Sequence, residues 1–132
     1  MTTTIETDWY ENGQKKSEGN YKDGNREGLW TVWFENGQKN RETNFKGGKG
    51  DGLVTGWYED GQKELEGSYK GGKLEGLFIT WYENEQKEFE GNFKDGKLEG
   101  LWTGWNEEGN VIKNETYKDG KVVEGVQNSV SG

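Results

Sequence analysis

Glutamates are the most regular chemical groups in the sequence: Glu18, Glu42, Glu66 and Glu90 stand 24 residues apart. A carboxylate pair can act as acid and base in glycoside hydrolysis when a cleft holds the two groups about 5 to 9.5 Å apart. Nothing in the pattern builds a cleft between these four. They read as solvated charges that keep an open sheet soluble. The stretch Asp23-x-Asn25-x-Glu27-Gly28 opens like a calcium loop, but its twelfth position is Phe34, which cannot ligate a cation. No metal site and no cofactor fingerprint is expected. With no Cys and no His, thiolate and imidazole nucleophiles, a Ser-His-Asp relay, the usual zinc sites and disulfides are all excluded. The expectation is a chain with no catalytic residues.

The charge balance narrows the partners. Twenty-five acidic groups against 17 basic ones give a net charge of -8, which argues against a phosphate-backbone ligand. A row of lysines, Lys22, Lys46, Lys70, Lys94 and Lys118, could meet anionic lipid headgroups at one edge. Neighbouring Asp23, Asp95, Asp119, Glu27, Glu75 and Glu99 offset it, so membrane contact is disfavoured. No apolar run approaches the roughly 18 residues of a membrane helix, and Met-Thr-Thr-Thr-Ile-Glu lacks the basic and apolar regions of a secretion signal. A cytoplasmic location is expected.

Leu, Ile, Val and Phe make up only 22 of 132 residues, a level that with this charge would ordinarily suggest disorder. A repeat opposes that reading. Trp9, Trp33, Trp57, Trp81 and Trp105 recur every 24 residues, as do Tyr21, Phe45, Tyr69, Phe93 and Tyr117, and Leu29, Leu53, Leu77 and Leu101 follow Gly28, Gly52, Gly76 and Gly100. Each unit reads as two strands. Leu29 to Glu35 alternates aromatic and β-branched residues, Asn36-Gly37 gives a two-residue hairpin signal, Gln38 to Lys46 returns, and residues 46–52 supply a looser turn. Ten strands result over the five copies. Connections this short force consecutive strands to pair antiparallel.

Alternation places Leu29, Leu53, Leu77 and Leu101 on one face with Trp33, Trp57, Trp81 and Trp105, and this face is expected to be the core. Gly19, Gly67 and Gly91 are expected to leave bare backbone under a neighbouring ring. The opposite face carries Trp30, Val54, Phe78 and Trp102. Phe34, Tyr58, Tyr82 and Asn106, four positions further along, are grouped with it. A single-layer ribbon has nothing to cover this face, so Trp30, Phe34, Tyr58, Phe78, Tyr82 and Trp102 are the candidate binding residues. Glu85 stands where other copies have the hairpin glycine, which predicts a strained or altered turn.

The motif Gly-Leu-Trp-Thr-x-Trp-Tyr-Glu-Asn-Gly-Gln-Lys, followed by Glu-Gly-x-Tyr-Lys-Asp-Gly-Lys-x-Glu, resembles the MORN repeat, and more closely its bacterial variant form, met in antitoxin-like proteins. The resemblance covers residues 5–126 in five copies. It implies an all-β, elongated, twisted antiparallel meander of 24-residue hairpins, with units 5–28, 29–52, 53–76, 77–100 and 101–126 and a flexible tail at 127–132. It also implies a non-catalytic module for protein-protein interaction or scaffolding, antitoxin-like neutralisation of a partner included. Phospholipid-headgroup association and carbohydrate binding through the aromatic rows are the alternatives. Open edges at Ile5 to Glu11 and near Val111 to Val126 invite pairing with another chain, which leaves both a monomer and a homodimer by edge or face pairing open.

Overall fold

The computed structural model describes residues 3–125, so the expected tail at 127–132 lies outside the described residues. Twelve strands form one open antiparallel sheet: β1 Thr4–Trp9, β2 Lys15–Lys22, β3 Asn25–Trp33, β4 Lys39–Lys46, β5 Lys49–Trp57, β6 Lys63–Lys70, β7 Lys73–Leu74, β8 Gly76–Trp81, β9 Lys87–Lys94, β10 Lys97–Trp105, β11 Val111–Lys118 and β12 Lys121–Gly125. Pairing follows chain order from β1 to β12, with the short β7 beside β6. Two more strands appear than the sequence suggested. The fourth copy's forward strand is broken at Glu75, and the chain continues past Lys118 into β12.

The two kinds of turn are the reverse of the expectation. Lys22 pairs with Asn25 and Lys46 with Lys49, so the connections expected to be loose are tight two-residue turns. Both central residues have positive φ, 52° and 81° at Asp23 and Gly24, as the I′ geometry that matches strand twist requires. At Asn36-Gly37 the loop has three residues instead. Phe34 N–H donates to the Gln38 carbonyl at 2.8 Å, and only Gly37 takes positive φ, 88°. Asn36 Oδ1 accepts the Gln38 N–H at 2.9 Å, which stabilises this loop in place of a second left-handed residue.

The fourth copy keeps that loop without its glycine. Glu85 sits at φ 72°, and its N–H still donates to the Tyr82 carbonyl at 3.0 Å. A left-handed conformation costs a non-glycine residue roughly 1–2 kcal/mol. Glu85→Gly is therefore expected to stabilise the fold by about 1 kcal/mol and raise Tm by about 4 °C. A thermal melt followed by circular dichroism reads the shift, and a lower Tm would show that the Glu85 side chain outweighs the strain.

The core lies on the face opposite to the one expected. Trp30 is 7% exposed and Val54 3%, whereas Leu29, Leu53, Leu77 and Leu101 are 48–61% exposed. The cause is a bulge repeated in β3, β5 and β10 and at the break between β7 and β8. Glu18 pairs with Thr31 but Asn20 with Glu27, so one residue of β2, Gly19, opposes three of β3. Gly28 makes the bulge with φ 74° and open space where a side chain would go, so the conformation, not crowding, demands glycine. The bend carries the strand tips over the Trp30 face. Arg26 lies 4.7 Å above the Trp30 ring and 5.5 Å above the Phe45 ring, and the tip leucine Leu74 approaches the backbone at Gly67.

Within this core, rings lie on bare backbone as the spacing predicts. A Cβ added at Gly19 would stand 2.2 Å from the Trp30 ring, at Gly67 2.6 Å from Phe78, and at Gly91 2.1 Å from Trp102. Two copies carry another residue at the glycine position, Thr43 and Glu115, and the first of these is compensated. Thr43 replaces the glycine, and Val54 replaces the ring that would lie over it.

Polar bonds between successive units supplement the thin apolar core. Gly48, Gly72, Gly96 and Gly120 N–H groups donate to the carbonyls of Arg26, Gly50, Leu74 and Leu98 at 2.8–3.0 Å. At the other end, the side chains of Asn12, Asn36 and Asn84 donate to the carbonyls of Glu35, Glu59 and Glu107 at 2.7–3.0 Å. Glu27, Glu75 and Glu99 accept from backbone N–H groups of the following turn, so these carboxylates hold the turns together.

Candidate binding surfaces

The six residues expected to form a binding face do not form one surface. Trp30, Phe78 and Trp102 belong to the packed row just described. Tyr21 meets Trp30 edge-on at 5.1 Å, Phe93 meets Phe78 at 5.7 Å, and Phe89 stacks on Trp102 at 5.4 Å. The Trp30 indole N–H donates to the Asn20 carbonyl at 2.9 Å, which satisfies its polar atom inside the core.

Phe34, Tyr58 and Tyr82 lie at the three-residue loops. Tyr58 and Tyr82 hydroxyls donate to the carbonyls of Trp81 and Trp105 at 2.6 and 2.7 Å, as Tyr10 does to Trp33 at 2.7 Å, tying each unit to the next. Desolvation raises the pKa of both Tyr58 and Tyr82, and nearby glutamates, Glu88 among them, add to the shift. Phe34 and Tyr58 also border a hollow with Glu59, Asp60, Glu64 and Glu83. Among the described residues no group of Asp and Glu has the geometry to hold a metal ion.

The outer face is organised in rows. In the central row, Thr7 Oγ1 donates to Glu18 at 3.0 Å and Thr31 is 8% exposed, while Lys15, Lys39, Lys63 and Lys87 pair with Glu18, Glu42, Glu66 and Glu90. The Lys15 and Thr7 hydrogen bonds hold the Glu18 carboxyl below its ordinary pKa. Each of these glutamates is thus held in an ion pair along one row.

Beside that row the half-buried tryptophans alternate with lysines. Lys15 Nζ stands 5.8 Å from the Trp33 ring and Lys39 Nζ 5.9 Å from Trp57, and shallow clefts open between Trp9 and Trp33 and between Trp33 and Trp57. On the other side of it Ile5, Leu29, Leu53, Leu77 and Leu101 form an exposed aliphatic ladder, with Leu53 at 61%. Alternation had grouped these leucines and tryptophans correctly, but had assigned them to the interior.

Comparison with known sequences fits this architecture. The profile of the MORN repeat variant matches residues 3–23, 26–46, 50–70, 74–95 and 98–119, most of the chain. The chain belongs to the MORN repeat variant family. Each MORN match takes in one forward and one return strand, and the second to fifth begin at or just after the two-residue turn. That frame differs by about three residues from one that starts each unit at the leucine, because it keeps the bulge glycine inside the unit. No curated protein matches the chain. The antiparallel meander expected from the MORN resemblance is the fold observed, with five matches across it.

Proposed function

We propose that this MORN chain is a non-catalytic module that docks an amphipathic, basic helix of a partner protein along its outer face. The observation that carries this reading is the aliphatic ladder: five residues exposed in line, in a molecule with only Trp30 and Val54 as buried apolar side chains among the described residues. Exposed apolar rows of this kind favour a partner that removes them from water. Successive ladder residues are two strands apart, about 9.6 Å. Seven residues of helix rise about 10.5 Å, so a helix with apolar residues every seven positions can meet the ladder rung by rung. The net charge of -8 favours a basic helix and opposes a second copy of this chain.

A labelled helical peptide with leucine at heptad spacing and lysines on its flanks tests the reading by fluorescence anisotropy. Binding should weaken at least tenfold in Leu29→Ser/Leu53→Ser/Leu77→Ser/Leu101→Ser, a variant that leaves the inner face intact. Equal binding by this variant, or no binding by the parent chain, would remove the ladder as the docking surface.

A further inference from the structure

The inner face carries one feature that helix docking does not use. The chain has only two arginines, and both line a single cavity of about 440 Å³, with Ser17, Trp30, Thr43, Phe45, Gly50 and Tyr69 among its walls. We propose that this cavity binds a small organic anion with a flat apolar body, an aryl carboxylate or aryl phosphate, its charged head between Arg26 and Arg41.

Four observations carry the assignment. The first is charge: the cavity wall includes no Asp or Glu, although the chain has 25 of them, and no described carboxylate lies within ion-pair distance of either arginine. Two unpaired guanidinium groups facing one cavity in an acidic protein form a local anion site, and each can present a two-pronged donor to a carboxylate or phosphate. The second is order. Trp30 and Phe45 hold the Arg26 guanidinium over their faces, which reduces the freedom lost when a ligand binds.

The third is repeat register. The residues equivalent to Arg26 are Gly50, Leu74 and Leu98, and those equivalent to Arg41 are Ser17, Leu65, Phe89 and Lys113, so the fold itself does not require arginine at either place. The fourth is space. Val54 stands where three other copies have a ring, so the aromatic packing thins in the repeat next to the one that holds the arginines, and Gly50, where the next two copies have leucine, is covered by the Tyr69 ring that walls the cavity. Trp30, Phe45 and Tyr69 give an apolar lining for a flat body, and the Ser17 and Thr43 hydroxyls are further donors.

The test uses the full chain labelled with nitrogen-15. Its two arginine Nε–H signals and the Trp30 indole signal are followed during titration with phenyl phosphate, benzoate and inorganic phosphate at low salt. The expected result is a saturable, one-site shift with at least one aryl anion, bound at least tenfold more tightly than inorganic phosphate. The preferred aryl anion identifies the head group. Arg41→Gln should weaken that binding at least tenfold, and Lys118→Gln, at an exposed turn, should leave it unchanged. Arg41→Lys carries the same readout if the glutamine variant does not fold, because it keeps the charge and loses the fork. Absence of a saturable shift with either aryl anion, binding unchanged by the arginine substitution, or inorganic phosphate bound as tightly as the aryl anions would overturn the proposal.

Discussion

Gly91→Thr should cost about 3–5 kcal/mol, among the largest losses of any single substitution in this chain. The added Cβ alone would lie 2.1 Å from Trp102, so the indole must leave its place over the backbone. It would give up its stacking with Phe89 and its edge contact with Phe93. Forced departure of a packed ring combines overpacking with loss of buried apolar area. The chain already contains the compensated arrangement in Thr43 opposite Val54. Adding Trp102→Val to Gly91→Thr should therefore leave the double variant no less stable than Trp102→Val alone, a coupling of about 3–5 kcal/mol, the whole loss of the glycine substitution. Denaturant unfolding of the parent and the three variants measures the coupling. Simple addition of the two single losses would show that ring and glycine do not pack as a unit.

Trp30→Ala is expected to lose about 3–5 kcal/mol, lowering Tm by about 10–20 °C. The ring covers Gly19, receives the Arg26 guanidinium on its face, meets Tyr21 at its edge and donates to Asn20. All four contacts end with the substitution, and the residues around it are mostly strand backbone that cannot collapse into the space. For the same reason Trp30, Phe78 and Trp102 are unsuitable probes of partner binding, since a change there removes the fold before it reports on an interface.

Much of this was legible in the chain itself. The interval of 24 fixes the repeat, alternation fixes which residues share a face, and the glycines two places before Tyr21, Tyr69 and Phe93 foretell the rings above them. What alternation cannot supply is which face turns inward, because both faces carry apolar residues in every copy. That choice rests on the bulge at Gly28 and its equivalents. The extra residues appear in sequence only as one more glycine beside a leucine. The turns depart from their composition for a related reason. Asn36-Gly37 has the composition of a two-residue hairpin, yet Asn36 uses its side chain to close a longer loop and to reach the carbonyl of Glu59. Arg26 and Arg41 are 15 residues apart in the sequence and carried no pattern of their own. Only the register that brings β3 beside β4, and the bend that lifts the tip over Trp30, places them at one cavity. Their absence from every other copy was the available signal.

The most direct test of the inward face is a pair of truncations on opposite sides of neighbouring forward strands. Thermal unfolding of Trp30→Ala and Leu53→Ala, run side by side, compares a residue 7% exposed with one 61% exposed. The account predicts a fall of 10 °C or more, about 3 kcal/mol, for Trp30→Ala, and a change below about 1 kcal/mol for Leu53→Ala. A large loss at Leu53 with a small one at Trp30 would place the core on the leucine face and contradict both the fold described and the docking surface built on it.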